Sequence, residues 1–405
     1  MSQKILLFLM PTLMFLKIKA IGVLYVPELI SLFLFLQFFP RIVFFYSNQL
    51  KIFIILALLY LFSQIFSDIY RQTPPQDFMR GWSNIVFFIV HTSTLFVLLD
   101  NDKKNFFIFG LGYVLGVLLS LIFTPNMYFQ SGAIWKFGYL TPITFLVALI
   151  TTRINFQNEF IKIFIFLSLS LFNFYFGFRS LGGVCLFISL FMTIIKFDFI
   201  RKFLDNKQPI QLKIISFIIF FLFLSYFVNY SYSFLAVNEY LGLEELQRYQ
   251  SQVGNFGILI GGRQEVLTSI YAVMNSPFIG YGSWAINPFS ENLLSGLLLD
   301  FGYYKAQAFN YFDDRIPTHS HLLGAWVSSG IFGIFIWIWF LYNIIKAIIL
   351  NSIIKDNWNA FFLFICVFMI WKIFFSSFSG EARFFDAFYL CLILFINDKL
   401  IKNAK

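Results

Sequence analysis

Charge is scarce in this chain. Only 12% of its 405 residues are charged, against 59% that are hydrophobic, and the mean hydropathy is +0.79. A soluble domain carries about a quarter charged residues, so the composition points to an all-α polytopic membrane protein. Cysteine is scarcer still. Cys185, Cys366 and Cys391 each lie inside an apolar run, with no CxxC pair and no neighbouring histidine. That pattern argues against a disulfide framework or a thiolate metal site and reads as three small buried hydrophobes. No basic run is interleaved with exposed aromatics, so the net charge of +9 does not suggest nucleic acid. Most lysines instead flank apolar segments, as the positive-inside rule expects.

Phenylalanine is abundant, at 61 residues, and reads as lipid-facing and helix-packing bulk. Runs long enough to span a bilayer fall near 5–17, 20–40, 51–69, 82–99, 105–124, 137–152, 158–177, 180–196, 213–230, 321–349, 357–376 and 384–399. The first resembles a signal peptide, but no small-residue cleavage site follows, so it is expected to be a membrane helix. Twelve spans would put both termini on one side. Lys103 and Lys104, Arg153 and Lys162, 196–213, Lys346 and the 399–405 tail fall in alternate connections, which makes that side cytoplasmic. Lys17 and Lys19 then sit on the wrong side. Three regions follow: about nine transmembrane helices in 1–230, a folded periplasmic loop in 231–320, and about three transmembrane helices in 321–405.

In this topology seven of ten arginines are external: Arg71, Arg80, Arg179, Arg248, Arg263, Arg315 and Arg383. Their planar fork of donors suits bidentate phosphate binding. The large loop is expected to hold an amphipathic helix over 239–253, a second over 263–274 and a third over 292–300. Val266, Leu267, Ile270, Val273 and Met274 fall on one face of the second. Gly261 and Gly262 open that helix with Arg263 in its first turn, a place where free N–H groups and the helix dipole favour an anion. A Gly-rich turn bearing a solvated arginine fits the same residues. Arg179 sits at a tight external turn, in Phe178-Arg179-Ser180-Leu181-Gly182-Gly183.

Two of the three histidines, His319 and His321, lie where the loop meets the next apolar run, after Asp313, Asp314 and Arg315. His319 could act as a general base, with hydrogen bonding to loop carbonyls as the plainer use of the pair. A metal site lacks a third ligand at a convincing spacing. His91 lies alone in an apolar span and reads as a packed histidine.

Together these residues resemble the O-antigen ligase and O-antigen polymerase superfamily of bacterial envelope glycan assembly. Its R-x3-L motif matches Arg263 to Leu267, and its H-x10-G motif runs from His319 to Gly330, with Gly333 following. Arg179 matches an earlier arginine before a small-residue patch. The histidine is often followed by Asn, here Ser320, and an acidic residue often lies two before the glycine, here Ser328.

The resemblance implies a fold like the C-class lipid-linked glycosyltransferases, in the bacterial inner membrane. It implies transfer of a glycan en bloc from undecaprenyl diphosphate to an acceptor hydroxyl, without metal or other cofactor. A repeat-unit polymerase for O-antigen, capsule or exopolysaccharide is the leading expectation. A ligase acting on lipid A core is the alternative, and a flippase for the same glycans is the lesser one, since the spans look nearly free of charge. His319 would be the catalytic base and His321 secondary, with Arg179, Arg263 and Arg315 holding the diphosphate. A flippase and a chain-length regulator would be the protein partners.

Overall fold

The computed structural model describes all residues except 1–2, 20–21, 45–46, 126–133, 156–157, 198–208, 241, 254, 256, 258–262, 264, 287, 290, 303–314, 354–355, 379 and 404–405. Among the described residues the protein is almost wholly helical, with a single two-stranded hairpin. Helix α1 (Gln3–Thr12) is followed by β1 (Lys17–Lys19) and β2 (Val23–Tyr25). Then come α2 (Val26–Phe44), α3 (Asn48–Arg71), α4 (Pro75–Leu99), α5 (Lys103–Phe123) and α6 (Leu140–Ile150). Next are α7 (Glu159–Tyr175), α8 (Arg179–Ile194), α9 (Ile210–Val237), α10 (Leu243–Gln252), α11 (Glu265–Asn275) and α12 (Glu291–Asp300). The chain continues through α13 (His321–Ser329), α14 (Phe335–Ile353), α15 (Asn359–Phe375) and α16 (Gly380–Asn403).

Local chemistry sets several ends. The Ser47 side chain accepts from Leu50 N and the Asp102 side chain from Lys104 N, so each satisfies an otherwise unpaired N–H at the start of α3 or α5. Pro75 begins α4, where its missing N–H costs nothing.

Four stretches are long and apolar enough to cross a membrane: Asn48–Arg71, Pro75–Leu99, Lys103–Phe123 and Ile331–Ser352. Helices also occupy the other expected runs, among them the shorter apolar Gln3–Phe15, Arg179–Ile194 and Asn359–Phe375. Outward faces carry large apolar side chains, such as Phe62, Phe66 and Ile69 on α3, as a helix facing lipid requires. α16 lies at the centre, buried almost continuously from Ala382 to Ile396 against α4 and α14. α1 packs on α5 through Gly112 and Gly116, where a Cβ would strike the Phe8 and Pro11 carbonyls. This is the small-x3-small device that lets backbones approach in membrane bundles.

Three expectations are corrected. The run 321–349 is not one span: α13 and α14 are separate helices, broken at Gly330 and linked by a 3-10 turn. Lys17–Lys19 and Val23–Tyr25 pair as two antiparallel strands where a two-residue turn was expected, with Lys17 paired to Glu381 at 3.3 Å.

Finally, the apolar helices are not free of charge. Glu28 is fully buried and accepts from Arg383 Nε at 2.5 Å and Nη2 at 2.8 Å, while Arg383 Nη1 reaches Asn84 at 2.8 Å. His91, also fully buried, lies 3.7 Å from Glu28. Asp386 is held by Lys372 and His321. Buried charge survives in such surroundings only when paired.

Candidate active site

Arg263, Arg315 and His319, three of the expected site residues, lie in connections that pack on one another. Asp68, near the end of α3 and 2% exposed, is the hub. It accepts from Trp82 Nε1 at 2.7 Å, Ser283 N at 2.6 Å and Ser283 Oγ at 2.7 Å. Gln64 adds a 2.7 Å bond to the same hydroxyl. Arg71 donates to the Gly280 carbonyl and Ser276 Oγ, and its guanidinium lies over Tyr281. Segment 276–286 is thereby fastened to α3 and the start of α4.

The fastening propagates. Ile286 pairs with Arg315 as an antiparallel bridge, and Ile316 N donates to the Ala285 carbonyl at 2.9 Å. On α11, Thr268 Oγ1 and Ser269 Oγ each lie within hydrogen-bonding distance of the Pro317 carbonyl, at 3.4 and 3.0 Å. A small core of Ala272, Val273, Ala285, Ile316 and Val327 fills the space beneath. α11 therefore buries Leu267, Thr268, Ser269, Ala272 and Val273, while Ile270 and Met274 are exposed. The expected apolar face is rotated, because the two hydroxyls find a carbonyl partner inward.

This packing joins the two motifs. Arg263 lies in a turn just before α11, not in its first helical turn, and its carbonyl accepts from Val266 N at 2.9 Å. Glu265 opens the helix, and its Oε1 is 4.0 Å from His319 Nδ1. His319 is 45% exposed and Glu265 25%, so the imidazole is open to a ligand. Burial pulls the Arg263 guanidinium below its ordinary range, and Glu265 pulls it back. A poorly hydrated guanidinium is a strong phosphate ligand.

Arg315 lies over the Trp284 ring at 5.4 Å, near Arg80 and Asp77. Burial and then Arg80 lower its pKa, and Asp77 opposes them. Trp284 adopts φ +53°, unusual for a bulky residue, at the point where the fastened segment turns.

Arg179 is placed elsewhere. It begins α8 after the Gly177 turn, with its guanidinium 5.3 Å from the Tyr232 ring of α9. Arg383, counted above among the external arginines, is committed to Glu28. Gly261, Gly262, Asp313 and Asp314 lie outside the described residues.

His321 is fully buried. Its Nδ1 donates to the Ser376 carbonyl at 2.6 Å, since a carbonyl can only accept, and its Nε2 faces Asp386 at 2.9 Å. Trp337 and Phe378 pack on the ring at 4.8 and 5.4 Å. Ser320, between the histidines, caps α13 by accepting from Leu323 N and donates to the Ile373 carbonyl. Serine is among the strongest N-cap residues.

Gly330 has φ +73°, and a Cβ there would overlap the Phe278 carbonyl oxygen. Tyr281 N and Gly282 N bond the Val327 and Ser328 carbonyls alongside. Gly330→Ala should therefore cost about 1–3 kcal/mol from backbone strain, with the overlap added. A lowered unfolding temperature of the purified variant in detergent is the expected result, and an unchanged one would contradict the close approach.

Sequence reasoning missed Asp68 and Glu265. Asp68 carried a signal, as an acidic residue at the end of an apolar run; Glu265 stood inside a motif read only for its arginine and leucine. No family model matches the chain, and no curated protein matches it.

Proposed function

We propose that this protein is a membrane glycosyltransferase that moves a glycan en bloc from undecaprenyl diphosphate to an acceptor hydroxyl, acting as a repeat-unit polymerase. The reading includes twelve spans in a C-class glycosyltransferase-like fold, both termini in the cytoplasm and the site at the periplasmic face of the inner membrane. The observation that carries it is the junction of α11 with 315–319. A half-exposed imidazole there stands beside a carboxylate, with a partly desolvated arginine two residues before that carboxylate.

The chemistry follows from these groups. His319 takes the proton of the acceptor hydroxyl, and that oxygen forms a bond to the anomeric carbon of the donor sugar. The bond from that carbon to the diphosphate oxygen breaks, and the lipid diphosphate leaves with the electron pair. Arg263 and Arg315 stabilise the negative charge that develops on it, and Arg179 receives the diphosphate as the donor approaches. His321, buried with both ring nitrogens engaged, positions α13 and does not meet substrate.

The test is the surface glycan of a strain lacking the gene. Single repeat units on the lipid core would support a polymerase. Core without glycan, with polymer retained on the carrier lipid, would support a ligase using the same chemistry. Unchanged glycans would overturn both.

A further inference from the structure

We infer that Glu265 is the positioning residue of the base: its carboxylate holds the Nδ1–H tautomer of His319 and turns Nε2 towards the acceptor hydroxyl. The inference rests on the reading of His319 as that base, and adds a residue to which the motif comparison assigned no role. The geometry is specific. Of the two ring nitrogens it is Nδ1 that faces Glu265 Oε1, at 4.0 Å. A carboxylate accepts and cannot donate, so a proton shared across this gap comes from Nδ1 and the lone pair is left on Nε2. The separation is at the outer limit of an ion pair and longer than a hydrogen bond, and catalytic contacts that are long in a substrate-free site often shorten in the substrate complex.

Glu265 is well held for this task. Its carbonyl lies 3.0 Å from Thr268 Oγ1 and 2.7 Å from Ser269 Oγ, the same hydroxyls that reach the Pro317 carbonyl. Each hydroxyl has one proton to share between the two carbonyls, and the contacts keep the backbone at the start of α11 close to the segment leading to His319. When His319 accepts the proton on Nε2, the imidazolium formed lies against a negative charge. A carboxylate that orients a catalytic histidine and stabilises its cation acts in the same way in hydrolase triads.

The test uses the full chain, purified and reconstituted, with lipid-linked glycan as donor and acceptor. Glu265→Gln preserves size and removes the charge, and should lower kcat about tenfold with KM little changed. Glu265→Asp should recover part of the loss. The deciding measurement is a double-mutant cycle. With His319→Ala and activity restored by added imidazole, Glu265→Gln should cause no further loss, because there is no tethered ring left to orient. An equal tenfold loss in that background would overturn the inference, as would full activity of Glu265→Gln. Wild-type-level transfer by His319→Ala without imidazole would instead show that the base is misassigned, and the positioning role falls with it.

Discussion

His319→Ala should abolish detectable transfer. Loss of a general base typically costs about 10²–10⁴-fold in rate, and no second imidazole is exposed nearby, since His321 is buried. The control is His321→Ala, which should retain measurable activity at lower stability. Its removal leaves Asp386 and Lys372 without one member of a buried group, a defect of packing and charge rather than of chemistry. In vitro transfer of purified lipid-linked glycan, with unfolding temperature measured in parallel, separates the two cases. A fully active His319→Ala would sink the base assignment. Loss of wild-type activity on adding excess chelator, reversed by a divalent ion, would show that a metal takes part.

Arg263→Lys should lose activity about a hundredfold although the charge is kept. The argument is geometric: the guanidinium presents a planar fork that matches two phosphate oxygens, whereas lysine offers a hydrated point charge. Charge-assisted hydrogen bonds are worth about 1.5–3 kcal/mol each, and one lost in the transition state accounts for most of that factor. Burial sharpens the distinction, because Arg263 is partly withdrawn from water. Arg41 on α2 is exposed and should tolerate the same change. Wild-type glycan length from Arg263→Lys at equal expression would rule out the bidentate role.

Much of the helical framework was legible because apolar runs and end signals are local properties. The three helices of 239–300 were foreseen within a few residues, as was the turn before Arg179. The meeting of the two motifs was foreshadowed only by their order. The missed features depend on pairings across the chain. Glu28 looks like an isolated flaw in an apolar run until Arg383, 355 residues away, is brought beside it. Asp68 binds Ser283 across 215 residues. The rotated face of α11 has the same origin, since a threonine and a serine count as polar until the Pro317 carbonyl arrives to receive them. Averaging hydropathy along a run hides single charges, and single charges are what this fold buries.

The Glu28–Arg383 pair also sets a timetable for biogenesis. The carboxylate is made first and the guanidinium emerges 355 residues later. At about 5–20 residues per second that is roughly 20–70 s of translation. During that interval the Glu28 carboxylate on α2 lacks the guanidinium that it pairs with in the folded protein. α16, the helix against which α4 and α14 pack, follows both in chain order. The pair therefore forms only after all the helices between its two members have been made.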